Sequence, residues 1–234
     1  MKLPTQETPE YKLVLPISKQ EISYRPFLVK EQKNLLLARE GKDAEEIFTA
    51  ISNLLKSVTD EKTDGHDLPL ADLEYLFLQI RCKSIGETSK LLFPCVNEEC
   101  THSHELTVDL SEIEVNQDNL PENKIQISDE LMIELKYPTS KLVAKVADMT
   151  DDEAVKPILR DCMVRIFDKE EIYELKEFPD REIDNFIDNM TIEQFEKVMT
   201  FFNAIPVLKK EYEWECSKCK THNNFTAQGL QNFF

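Results

Sequence analysis

The chain has 234 residues, 41% hydrophobic and 9% aromatic, which is enough apolar material for a core and excludes a wholly disordered protein. Its 28 basic and 45 acidic residues give a net charge of −17, so nucleic acid is a poor first candidate for a partner. The four glycines form neither GxGxxG nor GxxxxGK[ST], which argues against a phosphate-binding loop.

No apolar run approaches the roughly 20 residues that span a bilayer. The N-terminal segment 1–10 is polar and lacks the apolar core of a signal peptide. We therefore expect a protein without a membrane span in a reducing compartment. There its six cysteines are thiols or metal ligands rather than disulfides.

The first region, residues 1–88, is predicted to hold a β-hairpin followed by helices. Weakly alternating apolar residues flank a polar turn at residues 18–21, and Arg25-Pro26 closes the hairpin. A helix is expected from about Leu28 to Arg39, and a second one from the N-cap residue Asp43. A third begins near Pro69 and is apolar enough to be a central core helix.

Two short turns each carry a pair of cysteines, and each lies between two likely strands. The first pair is Cys95 and Cys100, and the second is Cys216 and Cys219. Structural zinc prefers four such ligands in a tetrahedron. The pattern therefore predicts a zinc-ribbon-like region (89–110 and 207–234) in which two hairpin tips hold one zinc ion.

Other interpretations of these turns stay open. In one, the two turns are vestigial and bind no metal. In another, Cys216 and Cys219 form a redox site, although no thioredoxin-like strand and helix surround them. His102 and His222 either replace a cysteine ligand or lie exposed at the rim. We read Cys82 and Cys162 as small buried apolar residues.

Residues 111–206 are predicted to be an insertion into the ribbon, with a β-hairpin and acidic helices. Segment 151–196 holds 15 acidic and 6 basic residues, a net charge of −9. This charge either keeps the protein soluble or offers a surface to a basic partner. Segment 162–173 fits either a continuation of a helix or a short hairpin. The predicted class of the whole chain is α+β, a helical core with small antiparallel hairpins.

We find no pattern of catalytic residues. The four histidines lie in no Gly-x-Ser-x-Gly or His-Glu-x-x-His setting. Carboxylate pairs such as Asp151/Asp152 carry little information in so acidic a chain. A closed four-cysteine site also leaves no open position for a substrate. The sequence therefore gives no support for an enzyme.

Several segments together resemble one known family, in the same order and over most of the chain. They are Tyr24 to Lys33, Asp72 to Arg81 with Ser84-Ile85-Gly86, Lys136 to Thr139, Phe201 to Pro206, and the two cysteine turns with the Phe233-Phe234 ending. The family is that of the baseplate hub and hub-assembly proteins of T-even-type contractile-tail phages. The wider spacing of Cys95 and Cys100 departs from a tighter cysteine turn.

This resemblance implies a role in virion assembly rather than catalysis. The chain is then a baseplate hub component or an assembly chaperone that binds hub or tape-measure protein. It is located in the host cytoplasm during assembly, and in the tail baseplate if it stays in the particle. The alternatives are a regulatory zinc-ribbon module that binds nucleic acid or another protein, and a metal-dependent enzyme.

Overall fold

A computed structural model describes residues 7–41, 44–117 and 120–229. The first part of the chain forms a hairpin and three helices, and the middle part begins with a second hairpin. These elements are β1 (Tyr11–Val14), β2 (Glu21–Tyr24), α1 (Val29–Gly41), α2 (Ala44–Val58), α3 (Leu70–Ser84), β3 (Thr88–Pro94) and β4 (Ser103–Asp109). The predicted first hairpin and the three helices are confirmed. The predicted N-cap, Asp43, lies outside the described residues.

The rest of the chain alternates short strands and helices and ends in a hairpin. Its elements are β5 (Lys124–Gln126), β6 (Met132–Leu135), α4 (Ser140–Val146), α5 (Asp151–Cys162), β7 (Met163–Phe167), β8 (Ile172–Glu174), α6 (Asp180–Asp188), α7 (Ile192–Asn203), β9 (Lys209–Glu215) and β10 (His222–Gln228). Thr191 and Gln194 form a capping box at the start of α7. The short helix α4 was not predicted.

Helix α3 lies at the centre of the fold because it is apolar on more than one side. Leu73, Leu76 and Ile80 are fully buried and pack with the first hairpin and α2. On another side, Leu78 and Cys82 pack with the hairpins β3–β4 and β9–β10. The helix therefore joins two hydrophobic clusters, which confirms its prediction as a core helix.

A buried carboxylate fixes the first hairpin on α3. The side chain of Asp72 is fully buried. Its two oxygens accept hydrogen bonds from the backbone N–H groups of Ile17, at 2.7 Å, and Ser18, at 2.8 Å. These bonds satisfy the carboxylate oxygens and the donors at the turn, so burial of the charge is compensated.

Between residues 162 and 174 the chain forms strands, where the sequence also allowed a continued helix. Helix α5 ends at Cys162, and the next residue begins β7, which pairs with both β6 and β8. Val164 and Phe167 therefore lie in a strand, and of the two interpretations of segment 162–173 the short hairpin is the correct one. The result is a four-stranded antiparallel sheet in the order β5-β6-β7-β8, covered by α5, α6 and α7.

The described residues thus form a mixture of helices and small antiparallel sheets, as the α+β class predicted. The three-region division of the chain stays a prediction. Within the described ranges, no helix combines the length and the hydrophobicity that a membrane crossing requires.

Candidate metal centre

The site is built on two hairpins that pack face to face. Along β3 and β9 exposed residues alternate with buried or half-buried ones, as expected for strands with one covered face. The ring of Phe93 lies in the shared interior, with centroid distances of 4.7 Å to Phe225, 5.4 Å to Trp214 and 5.8 Å to Tyr212. This aromatic layer aligns the two hairpins, so their turns meet at one end.

The four predicted cysteines come together at this end. Their Sγ atoms all lie within 4.8 Å of one another. The shortest pairs join the two hairpins, with Cys95 3.6 Å from Cys219 and Cys100 3.8 Å from Cys216. Sulfurs of a tetrahedral zinc site, each about 2.3 Å from the metal, lie about 3.8 Å apart. A disulfide would need about 2.05 Å, and all four are free thiols.

Backbone hydrogen bonds shape both turns around the sulfurs. In the first turn, the N–H of Cys95 donates to His102 O at 3.0 Å. In the second, the N–H of Cys216 donates to Thr221 O and the N–H of Lys220 to Cys216 O, both at 2.9 Å. Lys220 has φ 61, the left-handed conformation that closes a tight turn. The turns themselves therefore direct the cysteines toward a common point.

Two side-chain contacts join the tips independently of the sulfurs. Asn223 is fully buried. Its Oδ1 accepts from the N–H of Val96 at 2.8 Å, and its Nδ2 donates to Thr221 O at 2.7 Å. At the rim, Ser217 Oγ lies 2.9 Å from His102 Nε2. The four-sulfur arrangement is thus held in place by the protein around it.

The thiols differ in acidity. The Thr221 hydroxyl and the Thr221 N–H stabilise the Cys219 thiolate and lower the pKa of Cys219 to about 6. A backbone hydrogen bond from Asn97 lowers the pKa of Cys95, but partial burial and the neighbouring thiols outweigh it and raise that pKa to about 11. The pKa of Cys100 is also raised. Thiolates at Cys95 and Cys100 at neutral pH would therefore need a cation beside them.

Among the residues that the structure describes, the four sulfurs form the group with metal-binding geometry, and His102 and His222 lie outside it. His222 is exposed and lies 3.9 Å from Glu213. Cys82 and Cys162 are both buried, as predicted. Sequence reasoning missed Asn223 and Ser217. The only signal for them in the sequence is their closeness to Cys216 and Cys219.

Residues 8–234 match the family model described as T4 bacteriophage base plate protein. No curated protein and no solved structure gave a significant match. Because the family model covers nearly the whole chain, and agrees with the resemblance carried by its motifs, the chain belongs to the T4 bacteriophage base plate protein family.

Proposed function

We propose that this chain is a hub component or assembly chaperone of a contractile-tail baseplate, that it binds hub or tape-measure protein, and that it carries one structural zinc ion. The match to the base plate family over residues 8–234 supports the baseplate role. The cluster of four sulfurs supports the metal.

Zinc is the metal that best fits this donor set. Thiolates are soft ligands, and four of them in a tetrahedron favour zinc over hard cations such as magnesium or calcium. With four protein ligands the coordination shell is closed. The metal is then structural and the protein has no enzymatic activity at this site.

The ion would connect parts of the chain that are distant in sequence. Cys95 and Cys219 are 124 positions apart, so zinc closes a long loop and joins the final hairpin to the middle of the chain. Closing such a loop removes conformational entropy from the unfolded chain. Metal affinity therefore adds to the free energy of unfolding.

The acidic region, 151–196, supplies a surface for a partner. Several of its carboxylates are engaged internally, since Arg160 lies 3.1 Å from Asp184 and Lys156 lies 2.6 Å from Asp188. The remaining negative charge would steer a basic or helical tail protein toward this face. Binding would take place in the host cytoplasm, and the complex would then join the tail baseplate.

A nucleic-acid-binding zinc ribbon is less well supported by the charges around the tips. Lys220 lies 3.5 Å from Glu215, and Glu98, Glu99 and Glu213 add further negative charge nearby. A DNA-binding face needs an excess of lysine and arginine. Salt-dependent binding to a DNA duplex would favour this alternative.

Mass spectrometry of tail assembly intermediates and purified virions tests the proposed role. We expect the chain to copurify with hub or tape-measure protein in lysates of infected cells. If the chain is found in purified virions, it is a permanent component of the tail. If it is found in assembly intermediates but is absent from virions, it is a chaperone. Normal tails from a phage that lacks this chain would contradict both.

A further inference from the structure

Helix α1 has one covered side and one side that faces solvent. The covered side carries Glu31, which is buried, and Leu35, which packs against the cluster formed by the first hairpin, α2 and α3. With about 3.6 residues per turn, the opposite side of the helix carries five exposed residues, here called the outer face: Val29, Lys33, Leu36, Leu37 and Glu40.

The outer face is apolar at its centre. Leu36 and Leu37 are 50% and 66% exposed, and Val29, near the start of the helix, is 71% exposed. Helices of soluble proteins normally turn side chains of this kind toward a core. Neighbouring apolar side chains that stay uncovered are typical of a surface that another protein covers.

The charged residues of the outer face make it complementary to itself. Lys33 and Glu40 lie on either side of the two leucines, and the midpoint between them falls between Leu36 and Leu37. A two-fold axis at this midpoint would place a second α1 antiparallel to the first. Lys33 of each copy would then lie level with Glu40 of the other, and the four leucines would meet between the two ion pairs. A two-fold interface requires this kind of self-complementarity.

The two ends of α1 extend the same complementarity. At the C-terminal end a carboxylate lies close by, since a Cβ atom at Gly41 would be 2.9 Å from Glu46 Oε2. In the antiparallel pair, Lys30 of the second copy would lie near this end. A parallel pair would instead set Lys33 against Lys33 and Glu40 against Glu40. Charge therefore favours the antiparallel arrangement.

We propose that the outer face of α1 is a dimer interface, at which two copies of this chain pair antiparallel about a two-fold axis between Leu36 and Leu37. The inference goes beyond the proposed assembly role and does not depend on it. Helix α1 has 13 residues and is about 20 Å long, so the interface is smaller than that of a standard stable complex. The dimer is therefore weak and forms at high protein concentration.

Zero-length cross-linking with a carbodiimide tests the pairing. The sample is a mixture of unlabelled and isotope-labelled full-length protein, purified and concentrated. We expect an amide between Lys33 and Glu40 whose two peptides carry different labels, which shows that they come from two copies. The matched control is Lys83 and Glu87, which lie 2.7 Å apart on one chain and should give peptides with the same label.

Two results of this experiment would overturn the proposal. One is a Lys33–Glu40 amide whose peptides always share one label. The other is the absence of that amide while Lys83 and Glu87 are cross-linked. If the outer face were instead cross-linked to a different tail protein in lysates of infected cells, and gave no adduct of mixed label, its occupant would not be a second copy.

Exchange of the two charges tests the interface by an independent measurement. We expect Lys33→Glu and Glu40→Lys each to weaken the dimer by about tenfold or more, because like charges then face each other. The double variant Lys33→Glu/Glu40→Lys should restore it. The control Lys141→Glu makes the same charge change at an exposed position on α4 and should dimerise as the wild type does.

Sedimentation equilibrium at up to about 1 mM protein, enough to populate a weak dimer, measures these effects. All the substituted side chains are exposed, so the dilute variants should unfold at the temperature of the wild type. Wild-type protein that stays monomeric over this range, or a double variant as weak as the single ones, would overturn the proposal. Because purified protein is used, neither result bears on the assembly role.

Discussion

Asn223 Oδ1 accepts a hydrogen bond from the backbone N–H of Val96 at 2.8 Å. The contact joins the second cysteine turn to the first across 127 positions of sequence. Because Asn223 also donates to Thr221 O at 2.7 Å, one buried amide holds both tips in register. Any metal held by the four sulfurs would therefore enter a site whose halves are already aligned.

Substitution of Asn223 by leucine should weaken metal binding although no ligand is changed. The variant leaves the Val96 N–H without its acceptor and releases one tip from the other. We therefore expect an about 10- to 100-fold loss of zinc affinity, the range that is typical when residues that support metal ligands are replaced. Competition with a chromophoric chelator measures the affinity, and the spectrum of the Co²⁺-loaded protein reports the geometry.

The neighbouring residue provides the control for this experiment. Asn224 is exposed on the other face of β10, so Asn224→Leu should bind zinc as the wild type does. Unchanged affinity and an unchanged Co²⁺ spectrum in Asn223→Leu would show that the amide has no role in the site.

Loss of one cysteine should remove the metal and part of the stability. We expect Cys216→Ser to lose the one equivalent of zinc found in the wild type, because an alcohol is a poor replacement for a thiolate. If the free zinc concentration is about 1,000 times its dissociation constant from the wild-type protein, bound metal contributes about 4 kcal/mol to the free energy of unfolding. Metal analysis and chemical denaturation measure the two effects.

A buried cysteine outside the site provides the control for removal of a sulfur that is not a metal ligand. Cys82 lies on α3 and is 4% exposed, so Cys82→Ala removes a buried sulfur and should keep its zinc. Undiminished zinc together with wild-type stability in Cys216→Ser would rule out the four-cysteine site.

Much of this architecture could be predicted from the sequence because the signals were local. Helical spacing predicted the first three helices, and the likely strands beside each cysteine pair predicted the two hairpins that carry them. Segment 162–173 was ambiguous because its apolar residues fit the spacing of a helix as well as that of a strand. Pairing of β7 with β6 and β8 decided the outcome, and such long-range pairing has no local signature.

The residues of the candidate site were likewise predictable only in part. Paired cysteines indicate a metal site through their spacing, so the sequence predicted that Cys95, Cys100, Cys216 and Cys219 would lie together, as they do. Asn223 carries no such signal, because its importance comes from a contact with a residue 127 positions away.

Acid should destabilise the N-terminal region through Glu31. Burial raises the pKa of Glu31, but hydrogen bonds from Arg25, the Leu28 N–H and Ser57 outweigh it and lower the pKa from 4.5 to about 2. A lowered folded-state pKa gives stability that is present above pH 4.5 and is lost as the pH falls toward 2. Glu31→Gln should therefore lose up to about 3 kcal/mol at neutral pH and flatten this acid dependence.

The same helix supplies the comparison. Glu40 is exposed on α1, so Glu40→Gln should change the free energy of unfolding by less than about 0.5 kcal/mol. Urea denaturation between pH 2 and 7 distinguishes the variants. Equal pH profiles for Glu31→Gln and the wild type would show that the Arg25–Glu31 pair does not contribute.

Asp72 should show a graded response, because its two oxygens serve two different donors. Asp72→Asn keeps one acceptor for Ile17 or Ser18, whereas Asp72→Ala leaves both N–H groups without a partner. With each unsatisfied buried donor costing about 1–3 kcal/mol, the alanine variant should lose roughly twice as much stability as the asparagine variant. Hydrogen exchange at Ile17 and Ser18 should accelerate in the same order. Equal losses for the two variants would instead mean that the charge of Asp72, rather than its two hydrogen bonds, fixes the first hairpin on α3.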